Sequence, residues 1–341
     1  MKEWMNILTL TKPVIQAPMA GGLVTPRLAA AVSREGALGS LASGYLSPQV
    51  LEKQIAEMQA LTSRSFQVNV FVPESRETPD EKALEKWKTS IPLAEQAPPM
   101  TTEEQDWEDF YEKIKLIIKY KVKACSFTFG MPPAATVREL KDNGCFLIGT
   151  ATSIEEAVAL EERGMDMIAL QGSEAGGHRG TFLPAKGESS LGLIAFIPQA
   201  ADAVNVPVIA AGGIFDRRGV QAAEILGAQG VQVGTAFLMC AESEASRIYK
   251  RELLAAQGTD TRLTSLFSGK PARGIANEWM KQKQSEEADT LPYPIQNTLT
   301  KPMRQNAAAQ QDSGHISLWA GQSAGGLHAA TDVKTLLDQL C

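Results

Sequence analysis

Short apolar, β-branched runs recur along the chain, each bounded by glycine or proline and separated by longer stretches with apolar residues at helical spacing. The runs are PVIQAPM (13–19), ALGSLAS (37–43), FQVNVF (66–71), ACSFTF (124–129), CFLIGTA (145–151), MIALQGS (167–173), PVIAAGG (207–213) and GVQVGTAFL (230–238). Between them lie amphipathic segments such as TPRLAAAVSREG, SPQVLEKQIAEMQ, SIEEAVALEERG and DRRGVQAAEILG. Several open on Ser, Thr or Asp and close on Gly, as helix caps require. Strands that alternate with helices pair in parallel through right-handed crossovers. Eight such units close a (β/α)8 TIM barrel, whereas an open doubly wound sheet uses about five to seven strands, so the pattern predicts the barrel.

Two stretches exceed the minimal pattern. Residues 73–104 are rich in proline and charge (PESRETPDEK, EQAPPMTTEE) and are expected to wrap the surface. Residues 258–317, which include KQKQSEEADTLPYP, read as an additional, mainly helical excursion after strand eight that covers the barrel mouth. The barrel itself is then 1–257 together with 318–341, where TDVKTLLDQLC suits a closing helix.

In such barrels the chemistry sits where the C-terminal strand ends converge. Met19-Ala20-Gly21-Gly22, Asn69, Gln171 to Gly177, Gly212-Gly213 and Gly234-Thr235 all fall on that side. The glycines at the ends of strands seven and eight leave backbone N–H groups uncovered at helix N-termini, which is how barrels bind phosphate; the helix after strand eight is expected to begin near Glu242. Met19 among small residues lets a flat ring lie close to the backbone. Asn69 and Gln171 are amides in apolar strands, where an unpaired polar group costs about 1–3 kcal/mol, so they need partners. A ring of mixed donors and acceptors such as flavin would supply them, and so would neighbouring backbone.

The stretch QGSEAGGHRG (171–180) is too polar for a core and too glycine-rich for a helix. Its His178 has an ordinary pKa of about 6.5 and is available either as a cation that attracts an anion or as a base. Glu174 is expected to orient the loop and Arg179 to be solvated. Lys270 and Arg273, in GKPARG, are candidates to cover the mouth or meet an anion. His315 and His328 are assigned structural or surface places.

Charge and cysteine content remove other classes. The 33 basic residues are spread out and outnumbered by 39 acidic ones, for a net charge of −6, so nucleic acid is not an expected partner. The four cysteines form no CxxC pair, no metal site is expected, and no apolar run approaches the roughly 20 residues of a membrane span. A cytoplasmic protein, monomer or homodimer, without membrane contact is expected.

The motifs PVIQAPMAGG, FQVNVFVP, SFTFGMPP, QGSEAGGHRG, PVIAAGGI, QVGTAFL, LFSGKPARGIANEW and LWAGQSAGG together resemble the nitronate monooxygenases, FMN enzymes once called 2-nitropropane dioxygenases. The resemblance implies FMN contacts at Asn69, Gln171, Gly176, Gly213 and the run Gln232-Val233-Gly234-Thr235. Ala17, Pro18 and Met19 would lie against the isoalloxazine, Gly212 would help hold the phosphate, and Gly177 would permit close approach of the backbone. His178 would face the substrate. The implied reaction is oxidation of an alkyl nitronate such as propionate 3-nitronate by O2 to carbonyl compound and nitrite. FMN-dependent NAD(P)H reductases of quinones or enoyl thioesters share the glycine-histidine loop and stand as the alternative.

Overall fold

A computed structural model of the chain describes residues 2–76, 78–184 and 190–341. Eight parallel strands, β1 (Val14–Gln16), β2 (Gly39–Ala42), β3 (Phe66–Phe71), β4 (Ala124–Thr128), β5 (Phe146–Ala151), β6 (Met167–Gln171), β7 (Val208–Ala211) and β8 (Val231–Val233), pair in the order β1-β8-β7-β6-β5-β4-β3-β2. The ring closes between β1 and β2, where Leu38 N–H donates to Val14 O and Gln16 N–H to Leu38 O, both at 2.9 Å. The fold is the expected TIM barrel. Strand β8 is shorter than its apolar run, because Gly234 turns out of the extended region (φ −115°, ψ −73°) and Thr235–Met239 continue as a 3-10 turn.

Alternation along the strands divides the core in two. Ile15, Ala124, Phe146, Ile148, Met167, Ala169 and Ile209 point into the barrel and pack against Trp4, Met5 and Leu8 of the N-terminal segment, which plugs the lower end. Their sequence neighbours, among them Leu147, Ile168, Leu170, Val208, Val231 and Val233, pack with the helix layer instead. Helices start where side chains cap them: Ser47 on Val50 N, Thr102 on Gln105 N, Ser153 on Glu156 N and Asp216 on Arg218 and Gly219 N. The eighth helical position is taken by Val333–Leu340, which packs on Pro26–Arg34 and Arg217–Ile225. The helix after β8 runs over Arg247–Ala255, later than Glu242, and lies beside the turn Gln322–Gly326.

Residues 73–104 do more than wrap the surface. Their helix Glu81–Ser90 buries Trp87 completely against Leu266, Phe267, Trp279 and Ile295, and the Trp87 indole donates to Asp289 O at 2.8 Å. The excursion contains a hairpin, Thr261–Thr264 with Ala272–Ile275, as well as the helices Glu278–Gln282 and Ile295–Ala309. That hairpin takes Gly177–His178 as a third antiparallel strand, so the glycine-histidine loop is an edge strand and not a free loop. Among the described residues no helix is long and apolar enough to cross a membrane.

Candidate active site

The C-terminal strand ends open onto one cavity, and small groups build its floor. Ala17, Pro18 and Met19 follow β1, Gly212 and Gly213 follow β7, and Gln232, Gly234 and Thr235 come from the end of β8. Gly212 and Gly213 adopt φ of +134° and +65°, and a Cβ on Gly212 would stand 3.0 Å from Ala175 N. A Cβ on Gly176 would stand only 2.4 Å from Gly321 N, so hydrogen alone fits between the β6 loop and the 320–323 segment. The turns at Gly212 and Gly213 lie just ahead of Arg217–Ile225, whose first N–H groups are taken by the Asp216 carboxylate, so the donors left uncovered there are those of the turns themselves. Thr235 Oγ1 accepts from Gly321 N at 3.0 Å, and Ser323 lines the same end.

Both strand amides have found protein partners, by different routes. Asn69 Nδ2 donates to Ser126 Oγ at 3.0 Å and Thr128 Oγ1 at 3.1 Å, which leaves its carbonyl oxygen as the atom open to a ligand. Gln171 Nε2 donates to His178 O at 2.9 Å while its Oε1 accepts from Gly180 N at 2.8 Å. Gln171 therefore clamps the histidine-bearing segment, and both ends of its amide are occupied by that segment.

His178 sits under a roof of rings: Trp319 at 5.3 Å between centroids, Phe129 at 6.1 Å and Tyr293 at 6.3 Å. Its Nε2 lies 2.9 Å from Ser268 Oγ. The Ser268 hydroxyl has Lys270 O at 3.0 Å to receive its proton, so we assign the imidazole hydrogen to Nε2 and the lone pair to Nδ1. Burial first, then the charges of Arg304 and Lys270, lower the His178 pKa to about 3. Of the two charge states open in the sequence, the neutral imidazole is the one this environment holds at neutral pH.

Positive charge at the mouth belongs to the roof. Lys270 Nζ meets both carboxylate oxygens of Glu74 at 2.6 and 2.7 Å and stands 4.4 Å from the centre of the Phe129 ring. Arg273 is buried and bonds Ser173 O at 2.8 Å and Thr261 O at 3.3 Å, which makes it a staple between the β6 loop and the hairpin. Arg179 is buried, contrary to the solvated place expected of it, and donates to Gly172 O at 2.6 Å. Glu174 Oε1 accepts from Leu193 N at 2.9 Å, tying the loop to the helix Leu193–Ala203.

Of the residues singled out in the sequence, Ala17, Pro18, Met19, Asn69, Gln171, Gly176, Gly177, His178, Gly212, Gly213, Gln232, Gly234 and Thr235 all line this one cavity. Val233 does not: strand alternation turns it into the helix layer, where it is buried. Tyr45, Phe129 and Trp319 line the cavity as well, and Tyr293 and Ser268 meet His178. Trp319 belongs to the motif LWAGQSAGG, which is a signal for its place; the isolated tyrosines carry none. Among the described residues no cluster of His, Cys, Asp or Glu is arranged to hold a metal ion.

Comparison with known proteins agrees over the whole length. The family described as nitronate monooxygenase matches residues 2–341. A probable nitronate monooxygenase of Bacillus subtilis (strain 168) is 61% identical, with 100% of this chain and 98% of that protein aligned. One from Staphylococcus haemolyticus is 42% identical, covering 98% and 94%. Among solved structures, nitroalkane oxidase from Streptomyces ansochromogenes superposes with a TM-score of 0.89 at 34% identity, covering 99% and 96% of the two chains. FabK from Thermotoga maritima gives 0.78 at 30% identity, covering 98% and 93%.

Proposed function

Since the chain belongs to the nitronate monooxygenase family, we propose that it holds FMN in this cavity and oxidises alkyl nitronates with O2 to carbonyl compound and nitrite. The observation that carries this reading is the pairing of a glycine cradle at β7 and β8 with a flat floor of Ala17, Pro18 and Met19, opposite a neutral His178. The residues fit the cofactor. Gly213, Gly234 and Thr235 would take the phosphate through main-chain N–H groups, and the carbonyl oxygen of Asn69 would accept from a ring N–H. When bound, the flavin supplies the electron transfer from the nitronate and the reaction with oxygen.

The chain's own groups then orient the substrate. With its pKa held at about 3, His178 is too weak a base to take the α-proton of a neutral nitroalkane, so the substrate is the preformed nitronate, and Ser268 fixes the ring through Nε2. The wall of Phe129, Tyr293 and Trp319 excludes water from the reacting carbon.

The test is anaerobic mixing of the yellow, FMN-loaded protein with propionate 3-nitronate and, separately, with NADH, followed by oxygen uptake and nitrite release in air. Rapid bleaching by the nitronate and none by NADH is expected. Bleaching by NADH alone would overturn the reading in favour of a reductase, the activity class raised by the shared barrel.

A further inference from the structure

Phe129 is the first residue beyond β4, and its backbone stands in the left-handed region at φ +71°, which a bulky side chain adopts only under strain. Strain of this kind persists where the surroundings impose it, and it gathers at functional sites. The surroundings of Phe129 do impose it. Its ring meets Phe71 at 4.7 Å between centroids and 62°, His178 at 6.1 Å and 87°, and Tyr293 at 6.0 Å, while Lys270 Nζ stands 4.4 Å from the centre of its face. Lys270 is itself held by both carboxylate oxygens of Glu74, so the ring is clamped from the outer side, and Phe129 is left only 3% exposed.

What the strain achieves is a wall. Among the described residues Phe129 alone lines the cavity of His178 together with both clefts outside it, one of about 580 Å³ and one of about 550 Å³. Tyr45 and Phe71 continue the same wall between the cavity and the larger cleft. Their rings stand edge to face at 5.6 Å, and a Cβ on Gly44 would strike the Phe71 ring. Beyond the wall the larger cleft is faced by Leu46, Val72, Pro99, Met100 and Phe110. Of its charged groups, Arg76 pairs with Asp106, Lys113 with Asp109 and Glu74 with Lys270. A chain of methylenes is what such a surface accepts, and the cleft has the size of ligand pockets, roughly 300–1,000 Å³. The ring of Phe129 stands between that surface and His178.

We propose that Phe129 sets the length of substrate the enzyme takes: its ring ends the cavity at short-chain nitronates, and without it an aliphatic tail runs on past His178 into the larger cleft. The inference rests on the functional reading above and adds a specificity-determining residue to that site.

The test changes the wall and varies the chain, on the FMN-loaded protein. For the parent, kcat/KM is expected to fall at least about tenfold from propyl to octyl nitronate, the size of an apolar pocket's discrimination. Phe129→Gly accepts the positive φ without strain and opens the wall, so the octyl-to-propyl ratio should rise at least about tenfold. Phe129→Leu keeps an apolar side chain of smaller reach and should raise the ratio by less; it carries both measurements if the glycine variant fails to fold. Alkanoates share the flat, two-oxygen anionic end of a nitronate and serve as inert probes. By calorimetry the parent should bind nonanoate no more tightly than butanoate. Phe129→Gly should bind nonanoate at least about tenfold more tightly than butanoate, since each methylene taken from water adds about fourfold. An octyl-to-propyl ratio unmoved by the substitutions, or nonanoate bound by the variants no better than by the parent, would overturn the assignment. Should the parent turn over no nitronate at all, the functional reading falls while the alkanoate arm still decides the role of Phe129.

Discussion

The floor and the roof of the cavity are made by opposite means. Every floor residue stands at the end of a barrel strand, where the two-residue period and a glycine decide locally what faces the mouth. The roof is assembled from segments far apart in the chain. Trp87 reaches Asp289 across 202 positions, and Lys270 reaches Glu74 across 196. A floor of this kind is bare backbone with little charge, suited to accept a flat cofactor. The roof carries the rings and charges that a substrate meets, so it is where specificity and the protonation of His178 are set.

Breaking the roof should leave the floor standing. Trp87 is fully buried where the 73–104 and 258–317 segments meet, and its replacement by alanine removes both the packing and the hydrogen bond to Asp289. A loss of about 3–5 kcal/mol in local stability is expected. Hydrogen exchange should rise in 81–96 and 261–309 and stay unchanged in β3 to β7. Uniform acceleration through the barrel would show that the two regions are one cooperative unit and would remove the basis for the comparison.

A second substitution tests the seam between them. At Gly176 an added Cβ would lie 2.4 Å from Gly321 N and 2.6 Å from Ala320 C, and neither is the free end of a flexible side chain. Gly176→Ala is expected to cost about 2 kcal/mol, in the range of overpacking, and to weaken FMN retention. Thermal unfolding and the flavin-to-protein ratio after gel filtration would check it. An unchanged ratio would mean that the floor tolerates movement of the 320–323 segment.

The same division explains what could be read from the sequence. FQVNVF is β3 to the residue, and the glycine turns after β7 are where they were expected, because strand period and turn chemistry are local. Val233 shows where period and motif part: the resemblance takes in the whole run Gln232 to Thr235, while alternation turns the Gln232 side chain to the cavity and the Val233 side chain to the helix layer. Gln171 illustrates a different difficulty, since the sequence showed an amide needing partners and not that His178 O and Gly180 N supply them. Trp87, Tyr45, Tyr293 and Arg304 had no local signal, for a lone aromatic or basic residue acquires its place only when distant segments meet.

The smallest effect concerns how the roof governs His178. Burial and the charges of Arg304 and Lys270 hold its folded pKa at about 3, below the ordinary value of about 6.5. Below pH 6.5 the unfolded chain takes up a proton that the folded protein refuses, so stability falls as pH drops from about 6.5 toward 3. Above that window this group contributes no slope. The expected cost is about 1 kcal/mol between pH 6.5 and 5.5, and His178→Gln should lack it, so that denaturant midpoints of parent and variant converge at lower pH. Lys270→Met removes one of the two cations that hold the pKa down and should raise it, narrowing the window in which stability drifts. The ring carbon resonances of His178 should show no titration between pH 5 and 8. A midpoint near 6.5 would mean that the roof admits water to the imidazole, and with it would go the neutral His178 on which the reading of the site depends.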